Sequence, residues 1–140
     1  MSDGGFQDAL QPVTLYGIPN CDQVKKARGW LTERGVEFTF HDFKKAGLSR
    51  TLIAHWLTTV DWTTLLNRKG TTWRGLPDER RAAVTDAEAA TVLMLEAPSI
   101  VKRPVLQSGS RTLVGFDAAV YCTLFQTLFN SKTPDSGTRT

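Results

Sequence analysis

One stretch most constrains how this chain can fold. It consists of a short apolar strand, two chain breakers, a cysteine and then a helix. Residues 13–28 read VTLYGIPNCDQVKKAR, and Gly17 and Pro19 end the strand. Apolar residues recur at helical spacing after Cys21, which is therefore predicted at a helix N-terminus. The unpaired N–H groups and the dipole there favour the thiolate, the nucleophilic form of cysteine. The alternative is an inert Cys21 buried behind the turn.

The rest of the composition is that of one globular domain. The chain has 140 residues, of which 41% are hydrophobic. No apolar run approaches about 20 residues, so no transmembrane helix is expected. The opening MSDGGFQDALQP lacks the basic and apolar regions of a signal peptide, which favours a cytoplasmic location. The 2 cysteines are far apart and predict a working thiol in a reducing compartment rather than a disulfide scaffold.

The positive charge of the chain is modest. The formal net charge is +3, with no long basic run, no Gly-rich phosphate loop and no zinc-like Cys/His spacing. Small anionic ligands fit this charge at least as well as nucleic acid does. We therefore expect neither a metal site nor a nucleic-acid partner, and no membrane association.

The first third of the chain predicts a βαβ unit. A strand over 13–17 precedes a helix from about Asp22 to Arg34, which ends at Gly35. A second strand is predicted over 36–41, where apolar and polar residues alternate. Such a unit implies parallel strands and a right-handed crossover.

The middle of the chain predicts a helical insertion over about 48–98. Ser49 is positioned to cap a helix with an apolar stripe that reaches Val60. Residues 71–76 are predicted to form a loop. Further helical starts are indicated by Asp61, by Pro77, and by a capping box of Thr85 and Glu88, and the last of these helices ends before Pro98.

The last third predicts a hairpin and a helix. Strands over 105–107 and 111–114 flank a turn at Ser108-Gly109-Ser110. Asp117 is positioned to cap a final helix. Its predicted inward-facing residues are Ala118, Tyr121, Cys122, Phe125 and Phe129.

The order β-α-β, helical insertion, β-β-α is that of an α/β, thioredoxin-like fold with a mixed four-stranded sheet. The domain is predicted over 13–129, between a flexible N-terminus (1–12) and a disordered C-terminal tail (130–140). In this architecture the first helix starts beside the loop that precedes the third strand. Cys21 is therefore expected next to Arg103-Pro104, whose peptide bond is a candidate for the cis form.

Four segments resemble a known family when they are taken in order. YGIPNCDQVKKAR, LLNRKGTTWR, VKRPVL and LVGFD resemble the arsenate reductase (ArsC)-like family, most closely its YffB branch, which is related to the Spx/MgsR regulators. The resemblance covers about residues 13–129. It implies that Cys21 attacks an oxyanion whose oxygens are held by Arg68 and Arg103. Guanidinium groups suit that role because they are planar, permanently charged, bidentate donors.

The chain also departs from that pattern. The arsenate reductases carry a third arginine where this chain has Gly115, and a histidine where it has Gly17. Spx-type regulators often have a second cysteine where this chain has Val24. The YffB branch therefore fits best, and it implies a glutathione-dependent thiol reductase. A monothiol Cys21 needs an external thiol after oxidation, with glutathione as co-substrate and no bound cofactor.

Several candidate residues have a second interpretation. Arg68 could be only a basic helix end, and Arg103 only a surface ion-pair partner. Lys25, Lys26 and Arg28 either hold the carboxylates of glutathione, with Pro104 beside them, or form a solvated face. Cys122 is predicted as a core residue rather than a resolving thiol. Trp73, in the predicted loop, is a candidate to line the site.

Three functions remain to be separated. The first is a glutathione-dependent monothiol oxidoreductase that acts on a disulfide or anionic substrate. The second is an arsenate reductase that uses glutathione and glutaredoxin. The third is a Spx-like regulator that binds RNA polymerase.

Overall fold

The computed structural model describes residues 12–132, with side chains described up to Gln126. The predicted N-terminal segment and most of the predicted tail lie outside these residues. Within them, no helix is both long and apolar enough to cross a bilayer. The elements are β1 (Val13–Gly17), α1 (Asp22–Glu33), β2 (Thr39–Asp42), α2 (Phe43–Ala46), α3 (Arg50–Leu57), α4 (Trp62–Leu65), α5 (Thr71–Arg74), α6 (Asp78–Ala82), α7 (Ala87–Glu96), a 3₁₀ helix (Pro98–Ile100), β3 (Val105–Ser108), β4 (Arg111–Val114) and α8 (Ala118–Lys132).

The four strands form one mixed sheet in the order β2-β1-β3-β4. β1 and β2 are parallel, with Gly17 opposite Asp42. β3 is antiparallel to both β1 and β4, and Val105 lies opposite Tyr16 and Val114. This is the sheet of a thioredoxin-like fold, and the fold class predicted from the sequence is confirmed.

Successive residues of the strands pack against different layers. Leu15 and Leu106 belong to a cluster on the α1 and α8 side, with Trp30 and Tyr121. Tyr16 and Val105 instead join the residues of the helical insertion, such as Trp56 and Phe43. This alternation is the expected consequence of the strand period of two. The sheet is therefore covered on both faces, and its strand ends lie at the rim.

The helical insertion agrees with the sequence in outline and differs in detail. The Ser49 hydroxyl accepts from the N–H of Leu52, so the predicted cap is confirmed. The predicted loop over 71–76 is wrong, because α5 forms there. The predicted capping box at Thr85 is wrong too, since Asp86 is the N-cap and accepts from the N–H of Ala89.

The remaining differences lie in β2 and α8. β2 begins at Thr39 instead of residue 36, and α8 continues to Lys132, past the predicted boundary of the tail. Cys122 is exposed, so its prediction as a core residue is wrong, and Ala118 is exposed as well. Successive helical residues are about 100° apart. The buried stripe of α8 is Tyr121, Leu124 and Phe125, which turns Cys122 outward.

Candidate active site

The end of β1 and the start of β3 meet at one rim of the sheet. Tyr16 lies opposite Val105, so the loop after Gly17 and the Arg103-Pro104 segment leave the sheet side by side. The Arg103-Pro104 peptide bond is cis, as the sequence suggested. The architecture thus brings Cys21 and Arg103 together across about 80 residues of chain.

Cys21 occupies the N-cap position of α1. Its backbone is extended, with φ −135° and ψ 128°, and its carbonyl accepts the first helical hydrogen bond from Lys25 at 2.9 Å. The sulfur forms no side-chain cap hydrogen bond of normal geometry, but the backbone N–H groups of Gln23 and Val24 lie at this helix start and lower the pKa of the thiol. The helix N-terminus therefore supplies the unpaired donors that the sequence predicted for this thiol.

The surroundings of Cys21 lower the pKa of its thiol. Partial burial is the largest single influence and raises the pKa, but four others together outweigh it. They are the N–H of Val24, the hydrogen bond from the Arg103 guanidinium, the N–H of Gln23 and the positive charge of Arg103. All four stabilise the thiolate over the thiol. The thiol is also half-exposed, so a reagent can reach it.

The Arg103 side chain is anchored by backbone carbonyls. One terminal nitrogen donates to the carbonyl of Ser99 at 2.6 Å and lies 3.4 Å from that of Val101. The Nε–H is buried and has no hydrogen-bond partner among the described residues. A buried donor without a partner costs about 1–3 kcal/mol, which an anionic ligand would recover. Arg103 is thus held in place with one donor unused beside the thiol.

Backbone pairing brings the turn that carries Arg68 to the same region. Leu66 forms an isolated bridge with Val101, and the N–H of Asn67 donates to Ile100 at 2.9 Å. The N–H of Gly70 donates to the carbonyl of Asn67, which closes the turn. Arg68 is exposed and joins none of the ion pairs found in residues 12–132. Its role in binding an anion stays a prediction.

The four candidate residues for glutathione differ in their surroundings. Pro104 is buried just before β3, and Lys25 and Lys26 are exposed in α1. The guanidinium of Arg28 lies 4.2 Å from the centre of the Phe40 ring, on β2. Such a cation–π contact favours the packing interpretation of Arg28 over ligand binding.

Gly17 and Val24 fit together beneath the cysteine. A Cβ on Gly17 would lie 2.7 Å from Cγ2 of Val24, which is closer than atoms pack. Val24 is fully buried. The valine side chain therefore fills the space that a larger residue at position 17 would need.

The sequence analysis missed the residues that support Arg103. The Thr72 and Ser99 hydroxyls lie 2.9 Å apart, which links α5 to the segment that holds Arg103. Trp73 lies in α5 rather than in the predicted loop, and it is half-buried against the core of the insertion. The available sequence signal for this segment was Pro98, because proline is common at the first position of a helix. In the described part of the chain, no three His, Cys, Asp or Glu residues cluster as metal ligands.

Comparison with known proteins points to one family. The sequence profile described as "ArsC family" matches residues 16–124. A solved structure titled YFFB protein is 47% identical, with a TM-score of 0.76, over 79% of this chain and 96% of that chain. An arsenate reductase (ArsC) related protein from Brucella melitensis is 50% identical, with a TM-score of 0.65, over 82% and 95% of the two chains.

A more distant similarity reaches a regulator. The global transcriptional regulator Spx of Streptococcus pyogenes is 27% identical over 108 residues, which are 75% of this chain and 78% of that protein. Its identity is lower than that of the two solved structures, so this regulator is the more distant relative.

Proposed function

The chain belongs to the ArsC family, and we propose that it is a glutathione-dependent monothiol thiol–disulfide oxidoreductase. One observation carries the proposal: the half-exposed Cys21 thiol sits at a helix N-terminus beside Arg103, and its pKa is lowered. Thiolates are the attacking species in disulfide exchange. The site therefore has the chemistry that the reaction needs.

The proposed reaction has two exchange steps. The Cys21 thiolate attacks one sulfur of a disulfide, the S–S bond breaks, and the departing thiolate takes a proton. Glutathione thiolate then attacks the substrate sulfur of the mixed disulfide, so that a glutathione–substrate disulfide forms, the bond to Cys21 breaks, and the Cys21 thiolate is restored. Since Val24 stands where a second thiol would resolve the intermediate internally, the second step depends on an external thiol.

Adduct mapping tests the first step. We expect oxidised glutathione to modify Cys21, and Cys21→Ser to abolish that adduct. Cys122→Ser is the matched control, because Cys122 is an exposed thiol on α8. Modification at Cys122 alone, as mapped by mass spectrometry of the digested protein, would contradict the proposal.

The dependence of alkylation on pH tests the cause of the reactivity. We expect the midpoint for Cys21 to lie below 9.0, the pKa of an ordinary cysteine thiol. Arg103→Met should raise that midpoint, because it removes both a donor and a positive charge. The midpoint of Cys122, measured in the same samples, should stay the same.

Arsenate reduction is the second candidate function, and the unused Nε–H of Arg103 favours it. An oxyanion at that donor would lie beside the thiolate, with Arg68 on a neighbouring turn. The test is turnover of arsenate with glutathione and glutaredoxin as reductants. Turnover that disappears in Cys21→Ser would establish it, and absence of turnover would leave disulfide exchange.

Regulation in the manner of Spx is the remaining alternative. The similarity to the streptococcal regulator supports it. Val24 removes the second cysteine of a two-thiol switch but would not prevent binding to a protein. A pull-down with the C-terminal domain of the RNA polymerase α subunit separates the readings, because the enzyme proposals expect no stable complex.

A further inference from the structure

A third strand ends at the rim where the thiol lies. β4 is antiparallel to β3, with Val114 opposite Val105, and the N–H of Gly115 donates to the carbonyl of Pro104 at 2.8 Å. Neighbouring strands are about 4.8 Å apart, so Gly115 lies two strand spacings, about 10 Å, from the end of β1. Groups placed at Gly115 are therefore within reach of a small molecule bound at Cys21.

Lys102 is the side chain that the structure places there. Its N–H donates to the carbonyl of Leu65 at 2.7 Å, which fixes the backbone just before Arg103. Its Cε lies 3.6 Å from the position that a Cβ on Gly115 would take. Gly115 has a φ of +82°, a conformation that favours glycine, so the space beside Lys102 stays open.

Lys102 is exposed and has no anionic partner within the described residues. The Arg103 guanidinium instead donates to the carbonyls of Ser99 and Val101. The rim thus carries two cations, one beside the thiol and one against Gly115. The ion pairs in residues 12–132 are Arg50–Glu88, Arg80–Glu96 and Arg81–Asp78.

We propose that Lys102 is a binding residue for a carboxylate of the thiol substrate, with its side chain lying along Gly115. The inference rests on the proposed function, and it names a substrate class: a small thiol that carries a carboxylate several ångströms from its sulfur. Arg103 acts on the sulfur, and Lys102 holds the distant negative charge. An ammonium group suits this task because it is a mobile point charge on a flexible chain.

Paired alkylating reagents test the placement of this charge. Iodoacetate carries a carboxylate, and iodoacetamide is its neutral counterpart. We expect Lys102→Met to lower the ratio of their rate constants at Cys21 about two- to fivefold, since an exposed positive charge about 4–10 Å from the carboxylate is lost. Lys102→Arg should preserve the ratio. All variants carry Cys122→Ser. Each is measured at a pH above its own alkylation midpoint, so that Cys21 is fully ionised in all of them.

Arg111→Met is the matched control. Arg111 is an exposed cation on the same strand as Val114, but it lies at the opposite end, paired with Ser108. Its loss should leave the ratio unchanged. A ratio in Lys102→Met within about 1.5-fold of the parent would overturn the inference, as would an equal loss in Arg111→Met.

Substrate kinetics give a second readout. Lys102→Met should raise the KM for glutathione and leave its kcat unchanged, because the carboxylate contact lies away from the sulfur. Cysteamine, a thiol without a carboxylate, should show no such increase; an equal increase for both thiols would contradict the inference. An alkylation midpoint of Cys21 that is not lowered would instead contradict the proposed function. A lowered midpoint, together with an iodoacetate-to-iodoacetamide ratio that Lys102→Met leaves unchanged, would contradict only the role of Lys102.

Discussion

The packing of Val24 over Gly17 predicts that even a methyl group at position 17 destabilises the fold. In Gly17→Ala the new Cβ would lie 2.7 Å from Cγ2 and 3.3 Å from Cγ1 of Val24, whereas carbon atoms prefer about 3.5–4.0 Å. Gly17 is fixed by its pairing with Asp42, and Val24 is fully buried. Because neither side can move freely, we expect a loss of about 1–3 kcal/mol in the free energy of unfolding.

Urea denaturation provides the measurement, and Gly29→Ala is the matched control. Gly29 lies inside α1, and a Cβ there would meet nothing within 4 Å. That substitution should stabilise the protein by about 0.5–1 kcal/mol, because alanine favours the helix. The two glycine-to-alanine changes should therefore shift the unfolding midpoint in opposite directions.

A double-mutant cycle identifies the cause. Val24→Ala removes the clashing methyl groups, so the double variant with Gly17→Ala should lose at least about 1 kcal/mol less than the sum of the two single variants. Additive losses would refute the reasoning, as would a Gly17→Ala protein within about 0.5 kcal/mol of the parent. Since the N–H of Val24 helps to lower the pKa of Cys21, the alkylation midpoint of Gly17→Ala should also rise.

Three further predictions follow from the same region. Val24→Cys should form a disulfide with Cys21 under mild oxidation, because the Cα atoms of residues three apart in a helical turn lie within about 5–6 Å. The measurement is a mass loss of 2 Da, and two thiols that stay free would contradict the prediction. Arg28→Ala should lose about 0.5–1 kcal/mol of stability through its contact with Phe40, without any change in the alkylation rate of Cys21. The pKa of Cys21 is lower in the folded state than in the unfolded state, so the folded state binds fewer protons at pH values between the two pKa values. The stability of the parent relative to Cys21→Ser should therefore increase as pH rises through that window.

The sheet could be predicted from local signals, whereas the short helices of the insertion could not. Gly17, Pro19 and Gly109 mark the strand ends directly, and the strand period is visible in the sequence. α5 is a single turn in which three of the four residues are weak helix formers, so its propensity predicts a loop. The contact between Thr72 and Ser99 brings it to the neighbouring segment, and a contact of that kind has no local signal.

The site divides in the same way. The pairing of Cys21 with the Arg103 segment followed from the order of elements alone, because that order sets which loops share a rim. Two other features depend on distances of a few ångströms between separate segments. They are the hydrogen bond from Arg103 to Ser99 and the packing of the Val24 side chain against Gly17. Hydrophobic periodicity determines which face is buried, but it does not determine such distances.

The fit between Gly17 and Val24 also limits what chemistry the site can use. A histidine at position 17 would collide with Val24, and no second thiol is present at position 24. The thiolate of Cys21 therefore depends on backbone N–H groups and on the permanently charged guanidinium of Arg103. The alkylation rate of Cys21 between pH 6 and 9 should consequently follow a single ionisation, that of the thiol itself. A second ionisation near the pKa of imidazole, about 6.5, would show that another group shares the proton and that the thiolate is not held by fixed charges alone.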